Sequence, residues 1–167
     1  MEDVYVYATI NDKLIKINKN DALDIYVWRD CKTKPSYWFK RKATLHTDKG
    51  YKTYQFPISE KNYILSRVVY KAHNNDWHIT DTSSNNNIDH INNNSLDNRI
   101  ENLRILNNQQ NTWNRDIRGT YFDKRNGKWR AKLVCNGIQY FGKRRDTEPE
   151  AYEDRLILKD KYHVLPE

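Results

Sequence analysis

The sequence predicts an α+β protein: antiparallel strands and a helix at the N-terminus, a central strand, turn, strand, helix unit, and a C-terminal three-stranded antiparallel sheet packed on one helix. Three observations carry this. Residues 1–57 alternate apolar and polar side chains in short runs such as VYVYATI and YKTYQFPI, the period of half-buried strands. Residues 60–74, EKNYILSRVVYKAHN, place Ile64, Leu65, Val68, Val69 and Ala72 at helical spacing and predict one amphipathic helix. Asn126-Gly127 and Asn136-Gly137 each sit between strand-like segments, and Asn-Gly supplies the two positive φ angles of a tight type I′ hairpin.

A chain of 167 residues holds one domain or two small ones. The organisation expected here is residues 1–114 followed by residues 115–167. Lys and Arg outnumber Asp and Glu by 29 to 22, a net charge of +7, and the chain carries 12 Tyr and 5 Trp. That many aromatics argue against a disordered chain. Basic and aromatic together point to a polyanionic partner, because phosphates attract Lys and Arg while bases stack on rings; a basic surface kept for solubility is the alternative. Cys31 and Cys135 form no CxxC pair, so neither a zinc cage nor a disulfide scaffold is expected. The N-terminus, MEDVYVYATINDK, has acids where a signal peptide carries Lys or Arg, and no apolar run approaches membrane-spanning length. A soluble cytoplasmic protein without a membrane partner is the expectation.

Charge is unevenly spread. Residues 29–54 hold eight Lys/Arg against two Asp, with Tyr37, Trp38 and Phe39 beside Lys40, Arg41 and Lys42. Such a run suits a DNA backbone, and equally a solvated sheet face. Residues 74–87 lose apolar character apart from Trp77 and Ile79 and are expected to form a loop. Residues 118–145 hold nine Lys/Arg against one acid, including Lys124, Arg125, Lys143, Arg144 and Arg145. In KWRAK, Lys128, Arg130 and Lys132 alternate with Trp129 and Ala131, so a strand there shows bases on one face and buries Trp129 on the other. A basic ribbon of this kind fits the DNA major groove; an unused basic face is the alternative. After it, Thr147 with Glu150 forms a capping box with Pro149 in the first turn, and the following helix is expected to pack on the sheet through Ala151, Leu158 and Tyr162.

The central stretch, IDHINNNSLDNRIENLRILNNQQN, holds the chemistry. NIDHI reads as a strand, RIENLRIL as a turn and second strand, and NNQQNTWN as a helix. Adjacent strand residues point to opposite faces, so Asp89 and His90 share a site only if the strand bends or ends there. Asn92, Asn93 and Asn94 follow at once, and Asn accepts the left-handed backbone of a sharp turn.

These residues resemble the HNH, or ββα-metal, nucleases, most closely the phage-type homing endonucleases whose signature runs like DHxNGNxLDNRxENLR; the resemblance covers Ile88 to Arg104 and continues to Asn111. It implies Asp89 and Asn111 as metal ligands, His90 as general base, and Asn102 as the Asn that holds the loop and the His backbone. Asn93 replaces the expected glycine, and Ser66 stands where related proteins often carry His. Residues 118–163 resemble the ethylene-response-factor (AP2/ERF-type) DNA-binding domain, which lays a three-stranded sheet in the major groove. Together the resemblances imply a homing endonuclease acting on double-stranded DNA with one Mg²⁺ or Mn²⁺ ion; Arg99, Arg104, the C-terminal cations and, from composition alone, Lys40, Arg41 and Lys42 are expected on the DNA. A non-catalytic DNA-binding regulator, or a restriction-type enzyme acting as a dimer, is the alternative, and monomer and homodimer both remain open.

Overall fold

Of the 167 residues, the computed structural model describes 4–114 and 118–165. The architecture is the expected α+β, with twelve strands in four antiparallel sheets and three α-helices among the described residues. The expected boundary adjoins residues 115–117, which lie outside the described ones; the chain divides into the units Met1–Asn107 and Asn108–Glu167.

In the first unit, β1 (Tyr5–Ile10), β2 (Lys13–Asn18), β3 (Asp21–Arg29) and β4 (Tyr37–Lys40) form an antiparallel meander in chain order. Asn11 and Asp12, both at positive φ, close β1 onto β2 with Ile10 opposite Lys13, the two-residue turn whose twist matches that of the strands. A second antiparallel sheet joins β5 (Thr44–Asp48), β6 (Tyr51–Ile58) and β7 (Lys61–Ile64), and α1 (Leu65–His73) follows directly. Ile15, Ile17, Ile25, Phe56, Ile58, Leu65 and Val68 are fully buried in one core. Each such side chain contributes about 1.5–3 kcal/mol on leaving water.

The helix expected over 60–74 begins only at Leu65, because Lys61–Ile64 extends as β7 and pairs with β6. Ser59 at φ 55° makes the reversal, so Ile64 leaves the helical stripe and stays exposed. The remaining predicted stripe, Leu65, Val68, Val69 and Ala72, is buried as expected. Residues 74–86 form a loop, and β8 (Asn87–His90) pairs antiparallel with β9 (Leu103–Leu106) after a 3-10 turn at Ile100–Asn102.

The second unit opens with α2 (Asn108–Asn114) and contains β10 (Thr120–Asp123), β11 (Lys128–Cys135), β12 (Ile138–Arg145) and α3 (Glu148–Tyr162). Asn136 and Gly137 make the expected two-residue turn, both at positive φ. Asn126-Gly127 does not: four residues separate β10 from β11, and only Gly127 of the pair has positive φ. Asp123 is the cause, since its carboxylate accepts from the Arg125 N–H and the Asn126 side chain and so stabilises a longer turn. Ala131, Leu133 and Cys135 face α3, whereas Trp129 is only half-buried and packs edge-on against Phe122.

The capping box forms as expected, with the Glu150 N–H donating to Thr147 Oγ1 and the Thr147 N–H to the Glu150 carboxylate. Of the predicted packing residues Ala151 is fully buried, while Leu158 and Tyr162 are half-buried. Asp154 and Arg155 take the inner positions instead. Gly142 permits this, for a Cβ there would stand 2.8 Å from Asp154 Cβ. Asp154 then accepts from the Lys143 N–H and from Arg145, and this pairing holds its carboxyl below the usual carboxylate range.

Candidate active site and nucleic-acid interface

His90 is the last residue of β8, and Asp89 precedes it; both are buried. Their cross-strand partners on β9 are Leu103 and Arg104. Asp89 Oδ2 accepts from Arg104 Nε at 3.1 Å in an ion pair whose two side chains are almost wholly out of water. His90 Nε2 lies 3.2 Å from Asn98 Oδ1. The Asn98 amide nitrogen donates to the Leu96 carbonyl, which turns the amide oxygen towards the ring. That contact fixes the orientation of the His90 ring at the strand end. Asn98 was not among the residues singled out from sequence; buried at 4 %, in a run of asparagines, it carries no mark distinguishing it from its neighbours.

The loop after His90 is built by side chains that replace backbone partners. Asn93, at φ 58°, turns the chain, and its N–H donates to the His90 carbonyl. Asn102 braces both ends. Its amide nitrogen donates to the Asp97 carbonyl at 2.8 Å and to Asn92 Oδ1 at 3.0 Å, its amide oxygen accepts from the Asn92 N–H at 3.0 Å, and its own carbonyl accepts from the Ile91 N–H. Asp97 grips Arg99 through both carboxylate oxygens, and that pair pushes Asp97 far below and Arg99 above their ordinary values.

The loop before β8 is fixed from α1. Arg67 donates from Nε and Nη2 to the Ile79 carbonyl, from Nη2 to Asp81 and from Nη1 to Asn86, with its guanidinium 4.7 Å over the Trp77 ring. Burial lowers its pKa. Asn86 completes the lock, donating to the carbonyls of His78 and Asp81 and accepting from the Trp77 indole. Arg67 lies off the apolar stripe of α1, and nothing in the sequence marks its role in the loop. Ser66, beside it, is buried in the helix.

No family model, curated protein or solved structure matches the chain.

Asn111 lies on α2, half-buried, in the second unit. Among the described residues no three His, Cys, Asp or Glu side chains come together. Donors to a cation at the proposed site are therefore the Asp89 carboxylate, amide oxygens, water and substrate phosphate. Such hard oxygen donors suit Mg²⁺ or Mn²⁺. The Asp89 carboxylate fits this use once Arg104 yields one of its oxygens.

The cations expected on DNA divide into two sets. Lys124, Arg125, Lys132, Lys143, Arg144 and Lys42 are exposed. Arg130 and Arg144 stand opposite each other on the outer face of β11 and β12, with Lys132 opposite Phe141 beside them. Arg130 is half-buried, donates to the Gly142 carbonyl and lies over the Phe141 ring. Five others already hold carboxylates: Lys40 on Asp24, Arg99 on Asp97, Lys128 on Asp146, Arg145 on Asp154, and Arg104 on Asp89. Arg104 is turned inward rather than outward to a DNA backbone. Arg41 is half-buried, its N–H bonded to the Ile25 carbonyl.

Among the described residues no helix is long and apolar enough to cross a membrane.

Proposed function

We propose that the chain is a metal-dependent endonuclease of double-stranded DNA, of the homing type, acting in the cytoplasm, in which residues 88–114 cut and the sheet β10–β12 grips the target. One observation carries the reading: His90, the proposed general base, is buried at a strand end with its ring oriented by Asn98, 3.2 Å from Nε2. Asn102 keeps the His90 carbonyl turn closed, so the base is positioned before substrate arrives. A divalent ion at the Asp89 carboxylate would supply positive charge at the scissile phosphate. The outer face of β11 and β12, with Arg130, Lys132 and Arg144, neutralises phosphates or reads base edges.

Incubation of plasmid and genomic DNA with the protein and Mg²⁺, followed by mapping of the ends, tests this. Cleavage is expected for the wild type, and His90→Ala is expected to abolish it while DNA affinity stays within about twofold. Cleavage that survives His90→Ala overturns the assignment. A non-catalytic DNA-binding role draws on a different observation, the hold of Arg104 on Asp89. DNA binding without cleavage at any Mg²⁺ or Mn²⁺ concentration selects that role.

A further inference from the structure

The outer face of the β1–β4 sheet is aromatic, and the proposed cleavage chemistry makes no use of it. Register decides which side chains share that face: Tyr7 stands opposite Lys16, Lys16 opposite Tyr26, Tyr26 opposite Lys40, and Trp28 opposite Trp38. The intervening Ala8, Ile15, Ile17, Ile25 and Val27 point the other way, into the core. Tyr5, Tyr7, Tyr26, Trp28 and Trp38 thus share this face with Lys16.

Lys16 Nζ lies 4.5 Å from the Tyr5 ring centroid, 4.9 Å from Tyr26 and 4.8 Å from Trp38. Trp38 packs against Trp28 at 5.2 Å and Tyr7 at 6.0 Å. Tyr7 is 39 % exposed and the other rings are half-buried. The solvent face of an antiparallel sheet is ordinarily polar, and sheet stability does not require a cation fixed amid three rings. Trp28 also borders a cleft of about 380 Å³ lined by Lys13, Arg29, Tyr37 and Arg41, with Asp30 as the acid. Positive charge therefore continues from the ring cluster past the sheet edge.

The chemistry selects the occupant. Lys16 and Lys40 share this face with one acid, Asp24, which already holds Lys40, so an apolar protein surface laid here would bury net positive charge, which is costly. An acidic peptide would answer the charge and leave the rings without partners. Duplex DNA keeps its base faces stacked within the helix and offers mainly phosphate. A single strand offers both what the rings take and what the cations take: an unpaired π-face and a phosphate at each nucleotide.

We propose that this face binds unpaired bases of single-stranded DNA, with Tyr7, Trp28 and Trp38 as stacking surfaces and Lys16 placed for the backbone. The choice of DNA over RNA rests on the endonuclease reading; the stacking does not. The test uses the full chain in chelator, so that no strand is cut, with oligothymidylate, oligouridylate and a duplex of equal length as probes at fixed low salt. Oligothymidylate is expected to quench tryptophan fluorescence. Tyr7→Ala and Trp38→Ala are each expected to weaken its binding about tenfold, while duplex affinity stays within about twofold. Circular dichroism reports folding, and the more exposed Tyr7→Ala decides if Trp38→Ala does not fold. Oligothymidylate binding that is absent or unchanged in Tyr7→Ala, or a preference for oligouridylate, overturns the proposal. A wild-type protein that cleaves duplex DNA but binds no oligothymidylate sinks this inference alone, and a wild type that binds oligothymidylate but does not cleave sinks only the nuclease reading.

Discussion

Asn102 offers a test of how the candidate site is held together. Its side chain is 6 % exposed and makes three hydrogen bonds, to the Asp97 carbonyl, Asn92 Oδ1 and the Asn92 N–H. Asn102→Ala removes all three at about 1 kcal/mol each, so the expected cost is about 3 kcal/mol. Asn102→Asp keeps the oxygen that accepts from Asn92 but sets a second oxygen against the two acceptors that the amide nitrogen now serves. At neutral pH it is therefore expected to cost more than alanine, about 4 kcal/mol. On acidification the introduced carboxyl protonates and donates again, so part of the loss is recovered as pH falls. Urea unfolding gives the totals, and hydrogen exchange at the Ile91 and Asn92 amides, both bonded to Asn102, locates the loss. A cost below about 1 kcal/mol for both variants, or an aspartate milder than alanine at neutral pH, would refute the bracing role.

Arg67→Ala is expected to free residues 74–86 by removing donors to the Ile79, Asp81 and Asn86 carbonyls, at about 3 kcal/mol; proteolysis near Trp77 measures it, and Arg67→Lys should restore less than half because an ammonium lacks the fork. Gly142→Ala places a methyl 2.8 Å from Asp154 Cβ and is expected to cost about 1–3 kcal/mol, read by thermal melting. The lowered carboxyl of Asp154 makes the second unit's stability pH-dependent: the contribution is fully present above its ordinary value of 3.8 and is lost as pH falls below it. Acid titration of Asp154→Asn should show a shallower decline over that window than the wild type.

Much of this was legible because single residues decide it locally. Asn93 takes the positive φ its position in the asparagine run suggested, and Thr147 with Glu150 caps α3. The opening of the 60–74 helix was misread because KNYI satisfies both periods, and pairing with β6 settles it. The inner face of α3 was misread for a different reason. Leu158 and Tyr162 were expected inside on their apolar character, yet they are only half-buried, and the ion-paired Asp154 goes inside. Hydrogen-bond partners between distant residues, such as Arg67 with the 79–86 carbonyls or Asn98 with His90, leave no periodic trace in a sequence.

The pairing of Asp89 with Arg104 also bears on the order of events as the protein is made. A carboxylate buried without a counter-charge would tie folding to the arrival of a cation, as in small domains that collapse only around their metal. Arg104 supplies that charge from the chain itself. The hairpin of β8 and β9 can thus assemble in metal-poor surroundings and is expected to stay folded in chelator.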